Sequence, residues 1–192
     1  TASCLVKVDI DGNILSESEF GINPAGYTIH SAVHMGRKDA GCVMHTHTAA
    51  GLGVATQKSG LLPLTQMALA VIAQTGYHDY EGPAFDLRER DRLINDLASN
   101  NVLILRNHGL LTVGKTVAEA FVWLFRAERA CRFQLSFQQA GAPAQEIPKE
   151  VQDISIERSK KAISASGHRP IGQFEWPALL RKLNRENPGY AE

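Results

Sequence analysis

Residues 102–114 read Val-Leu-Ile-Leu-Arg-Asn-His-Gly-Leu-Leu-Thr-Val-Gly, and no other stretch restricts the fold as much. Two short apolar runs are joined at Asn107-His108-Gly109, where Gly109 permits a sharp turn. Apolar runs of this length, bounded by turn signals, read as buried strands rather than helices. A helix follows at once: Thr116 with Glu119 three residues on forms a capping pair, and Gly141 ends the helical pattern of residues 117–140. Strands that alternate with helices in this way predict a layered α/β domain.

The flanking sequence supports the same reading. Asn23-Pro24 starts a helix that runs to about Arg37, with Asn as N-cap and Pro at the first helical position. Residues 41–47 predict a strand and residues 49–57 a helix. Residues 61–64 suggest a strand, 66–73 a helix, and 76–80 a strand or loop. Asp86 with Glu89 predicts a second capped helix. Near the start, residues 4–9 alternate as a strand and turn back at Asp11-Gly12-Asn13. Residues 141–148 read as a linker, and residues 149–161 and 175–184 as amphipathic helices. The expected division is therefore a domain over residues 1–141 and a helical extension over residues 142–192.

At 192 residues and 44% hydrophobic, the chain can bury a core. Twenty basic and twenty acidic residues cancel, which gives no reason to expect nucleic acid or an anionic membrane as partner. No apolar run approaches the roughly 20 residues that span a bilayer. Cys4, Cys42 and Cys131 are widely spaced with no CxxC, as expected of a reduced, cytoplasmic protein. The opening residues lack the layout of a signal peptide and begin in mid-strand without Met, so a missing N-terminal part is expected.

Chemistry enters at Cys42–Gly51, Cys-Val-Met-His-Thr-His-Thr-Ala-Ala-Gly. On a strand, residues i and i+2 share a face, so His45 and His47 can reach one point in space. Imidazoles suit zinc and other first-row metals, and catalytic sites typically use three protein ligands and keep one position open. His108, at the exit of a central strand, is the third candidate. The competing reading is a pair of core histidines bonded to backbone. His30 and His34, four apart on a helix, also share a face, but no HExxH accompanies them; His34 reads as a helix-surface residue.

The succession HSAVHMGRKDAGCVMHTHT, GLLPL and LRNHGLLTVGKTVAEAF resembles the class II aldolase/adducin head family over about residues 1–140. The resemblance implies a three-layer α/β/α sandwich around a central, mainly antiparallel sheet, assembled as a homotetramer. It also implies a divalent metal, zinc first, on His45, His47 and His108. Three departures stand out. Gly26 occupies the place of the family's catalytic glutamate, Thr65-Gln66 the place of its proton-donating tyrosine, and the phosphate-holding segments would precede Thr1. The chain looks closer to the adducin-like branch. The expected function is a metal-dependent lyase, decarboxylase or epimerase acting on a small hydroxy-carbonyl or carboxylate compound. The alternative is a non-catalytic adducin-like oligomerisation module with a structural metal.

Two residues are candidates for the replacement base. His30 lies one helical turn after Gly26, and Glu81 lies in the polar segment Tyr-His-Asp-Tyr-Glu-Gly. The bland reading of each is a surface or backing hydrogen bond. Self-association is expected from the 117–139 helix, which carries Trp123, Phe133 and Phe137 besides its core stripe.

Overall fold

The runs at Val102–Leu105 and Gly109–Gly114 pair antiparallel, Leu103 opposite Leu111 and Ile104 opposite Leu110, in the computed structural model, which describes every residue except Phe85. In chain order the principal elements are α1 (Pro24–Gly36), β1 (Cys42–Thr46), α2 (Ala49–Ala55), α3 (Gln66–Ile72), β2 (Thr75–His78), α4 (Glu89–Leu97), β3 (Val102–Leu105), β4 (Gly109–Gly114), α5 (Val117–Ala140), α6 (Lys149–Ile163) and α7 (Glu175–Glu186). The sheet order is β1-β4-β3-β2. β1 and β3 flank β4 antiparallel, and β2 joins β3 in parallel. The sheet is thus mainly antiparallel, as expected.

Side-chain alternation divides the interior into two cores, one on each face of the sheet. Val102, Ile104 and Leu110 pack with Val54 of α2, Val71 of α3 and Trp123, Ala127 and Cys131 of α5. Leu103, Leu105, Leu111 and Val113 face the other way, onto Ile29 and Val33 of α1 and Leu93 and Leu97 of α4. Helices therefore cover both faces of the β3–β4 hairpin, which explains why its residues are uniformly buried. This is the expected α/β/α arrangement. α6 and α7 lie outside it, α6 against α3 and α7 against α5.

The helix starts follow from caps. Asn23 Oδ1 accepts from Ala25 N at 3.0 Å, and Thr116 Oγ1 accepts from Glu119 N at 3.2 Å. Thr48 and Thr65 cap α2 and α3 in the same manner. Arg37 ties the end of α1 to the α4–β3 connection: Nη1 donates to the Ala98 and Asn100 carbonyls at 3.0 and 2.9 Å, while Asp39 holds the rest of the guanidinium.

Several local expectations are corrected. Residues 4–9 form no strand; one bridge, Val8 to Ile14, closes around a turn held by the Asp9 carboxylate, and no neighbouring strand extends it. Residues 61–64 form none either, because Leu61 N donates to the Tyr77 hydroxyl and Leu62 N to Gln134 Oε1 instead of to a ladder. Residues 76–80 resolve into β2, which starts earlier and ends at His78. α4 begins at Glu89, later than the Asp86 signal implied; Asp86 holds the preceding turn through Arg88 N, and Glu89 turns inward instead of capping. Trp123 belongs to the core, 2% exposed, and Phe137 is half-buried, so the exposed large apolar side chains of α5 are Val117, Phe125 and Phe133, with Arg129 over the two phenylalanine rings. Among the described residues, no helix is long and apolar enough to cross a membrane.

Candidate metal centre

β1 ends at Thr46, so His45 is the last but one residue of the strand and His47 the first beyond it. Their shared face looks toward the β3–β4 connection, because β4 is the strand that pairs with β1. That connection is tight: Asn107 adopts a left-handed conformation (φ 57°), and Gly109 starts β4 at φ 155°. A side chain at Gly109 would place its Cβ 2.4 Å from the Thr46 carbonyl oxygen and 3.2 Å from the His47 ring. Glycine is what lets the two strand ends approach closely enough to bring His108 to the pair.

The three rings form a triangle, with centroids 4.6 Å apart for His45 and His47, 4.8 Å for His45 and His108, and 4.8 Å for His47 and His108. Their ligand nitrogens all lie within 4.8 Å of one another. His45 Nδ1 is 2.9 Å from the Leu110 carbonyl oxygen, which can only accept. The proton of the neutral ring therefore sits on Nδ1, and the Nε2 lone pair faces His47 Nε2 at 2.7 Å. With His45 Nε2 as acceptor, His47 Nε2 donates that bond, and once it gives up its proton the two Nε2 atoms and the third ring are a donor set that a first-row divalent ion fits. Among the described residues, no carboxylate or cysteine completes the cluster, and His47 is open to solvent.

The electrostatics favour the neutral form of His45 and His108. Burial pushes His45 down to about 4; the Leu110 carbonyl works against this, and His108, His47 and His30 add to it. Burial also lowers His108, helped by His47 and His78.

The other candidates are placed differently. His30 faces the same side as Gly26, and both line a cavity of about 560 Å³ with Asn23, Tyr27, Ser31 and His34. It contributes no ligand atom to the cluster, yet its charge is felt at His45, and burial keeps its own pKa low. An added Cβ at Gly26 would meet nothing nearer than Asn23 at 3.8 Å, so packing does not forbid a carboxylate there. Glu81 is held in a forked pair with Arg92 of α4, Oε1 at 2.6 Å from Nε and Oε2 at 2.5 Å from Nη2, and that pairing lowers its pKa. His34 is exposed, its Nδ1 3.1 Å from the Ala40 carbonyl. Thr65 caps α3.

Sequence reading passed over two neighbours of the cluster. His78 is 4% exposed, with Nδ1 2.7 Å from Asp96 Oδ2 and Nε2 3.2 Å from Glu89 Oε1. The Tyr80 ring stands edge-on to His108 at 6.5 Å. Both depend on the parallel pairing of β2 with β3, for which the sequence carries no local signal.

With this geometry in view, the chain belongs to the class II aldolase and adducin N-terminal domain family, whose description matches residues 1–135. A Pseudomonas aeruginosa protein provisionally named a class 2 aldolase is 50% identical over all of this chain and 74% of its own length. Rat alpha-adducin is 40% identical over 99% of this chain, which spans 27% of that longer protein. An aldolase II superfamily protein from Pseudomonas syringae superposes with a TM-score of 0.89 at 45% identity, covering 100% of this chain and 75% of the other. The L-fuculose 1-phosphate aldolase of Glaciozyma antarctica shares the fold, with a TM-score of 0.76 at 24% identity over 95% of this chain and 68% of its own.

Proposed function

We propose that this chain is a divalent-metal-dependent lyase, with zinc the first candidate, that acts on a small hydroxy-carbonyl or carboxylate compound. His45, His47 and His108 hold the ion. The convergence of three imidazoles, one of them open to solvent and none backed by a fourth protein ligand among the described residues, carries this reading. Three protein ligands with an open position mark catalytic rather than structural sites. A bound ion supplies Lewis-acid polarisation of a substrate carbonyl and stabilises enolate charge, worth several kcal/mol.

Around it the chain's own residues bind, orient and move protons. His30 is the base: burial holds it neutral, and it lines the cavity beside Gly26. Glu81, the other candidate, is a weaker base because Arg92 stabilises its ionised form. Without a carboxylate at position 26, decarboxylation of a metal-chelating β-keto acid is favoured, since carbon dioxide leaves without prior removal of a proton and the keto group takes up the electron pair as an enolate; His30 serves the alternatives that begin with proton removal. The catalytic unit is residues 1–141 and the helical extension residues 142–192.

Metal-loaded protein assayed on fuculose 1-phosphate is expected to cleave it some 10²–10⁴-fold more slowly than an enzyme with a positioned base. On oxaloacetate it is expected to release carbon dioxide above the rate of the free ion, and His45→Ala to abolish the difference. Efficient sugar-phosphate cleavage would show that another residue supplies the base.

A second reading is an adducin-like, non-catalytic oligomerisation module, favoured by the 40% identity to rat alpha-adducin. Turnover separates the two. Both expect self-association, a homotetramer in the cytoplasm, through exposed Phe125 and Phe133 on α5. Light scattering is expected to give a mass several times that of the chain, and a clean monomer at micromolar concentration would count against assembly.

A further inference from the structure

We infer that Tyr80 is a catalytic acid at the histidine cluster, its phenol supplying the proton that the product carbon takes up after bond cleavage. The inference deepens the lyase reading and rests on it.

β2 and β3 are parallel, with His78 opposite Leu105, so their C-terminal ends leave the sheet side by side. Arg106 N donates to the His78 carbonyl at 2.8 Å, which carries the pairing one step past the strands. Residues 79–81 therefore run beside residues 106–108. This short segment is clamped on every side of Tyr80. Before it, the buried His78 ring is held between Asp96 and Glu89 of α4, at 2.7 and 3.2 Å. Asp79 lies 3.3 Å from Arg106 Nε. After it, Glu81 is forked onto Arg92.

Between these clamps Tyr80 is 54% exposed, its ring edge-on to His108, and its hydroxyl has no hydrogen-bond partner among the described residues. A backbone held three times around one unoccupied phenol is a pre-organised donor: little freedom is lost when a ligand meets it. Glu81 serves on this account to hold the segment.

The proton balance is closed. Loss of carbon dioxide breaks a C–C bond and leaves its electron pair on the enolate carbon. A new C–H bond forms there with the Tyr80 Oη proton, and the phenolate regains a proton from water. General acids in such positions contribute about 10²–10⁴-fold.

Tyr80→Phe removes one unpartnered oxygen and no packing, so folding is expected to be unchanged. Wild-type and variant protein would be loaded with cobalt(II) and their metal content measured. Oxalate, a planar dianion resembling an enolate-bearing acid, is then titrated by the visible cobalt bands, and deuterium uptake into pyruvate from D2O is followed by NMR. Equal metal content, oxalate affinity weaker by about 10-fold and exchange slower by about 10²-fold or more support Tyr80. Wild-type protein that takes up no metal overturns the lyase reading and this inference with it. Metal uptake with no response to oxalate, or with equal affinity and exchange in the two proteins, overturns Tyr80 alone. Loss of metal in Tyr80→Phe also overturns it, since the ring would then be a support of the cluster.

Discussion

Protein loaded with zinc or cobalt is expected to carry about one ion per chain, and His45→Ala, His47→Ala and His108→Ala each to lose it. The loss should exceed the roughly 10–100-fold that removing an outer hydrogen-bond partner costs. Free ion at 100 times its Kd stabilises the folded chain by about 2.7 kcal/mol, or roughly 5–10 °C in Tm for a chain of this size. That shift should be absent in the three variants. Elemental analysis and calorimetry measure both quantities, and undiminished uptake by His108→Ala would remove the third ligand from the proposal.

The same site gives a pH dependence with a definite sign. The ordinary histidine value is 6.5, and folded His45 is held at about 4. Between those values the unfolded chain binds a proton that the folded ring refuses, so stability of the metal-free protein rises with pH across the window and is lost as pH falls through it. His45→Gln should flatten that slope. Metal is released over the same acid range, because ligation needs the unprotonated rings.

Gly109→Ala is expected to damage both the fold and the site. Its Cβ would sit 2.4 Å from the Thr46 carbonyl oxygen, a backbone atom that cannot move without shifting β1, and 3.4 Å from the His45 ring. The expected cost is about 3 kcal/mol, near 10 °C in Tm, together with loss of metal. Gly21→Ala is the control, since an added Cβ there meets nothing within 4 Å. A Gly109→Ala protein that melts and binds metal like the parent would show that the strand ends can separate freely.

The sequence by itself determined the helix starts, the central hairpin and the three imidazoles. Each is a short-range matter: Asn23 and Thr116 cap through amides two or three residues away, and i,i+2 on a strand puts His45 and His47 on one face. The family motifs extended that reading to the three-layer α/β/α sandwich. What only the tertiary structure decided depends on partners distant in the chain. Leu61 and Leu62 have strand-like composition, but their amides are claimed by Tyr77 and Gln134. Trp123 reads as a surplus aromatic and is core, because α5 lies across one face of the sheet. Glu89 has the spacing of a cap and is buried beside His78. Glu81 reads as an available carboxylate, and the fold gives it to Arg92, while the parallel β2–β3 pairing sets Tyr80 beside His108. Caps and periodicities are local and additive, whereas the choice of a side chain's partner is made by whichever element the whole fold brings within about 3 Å of it.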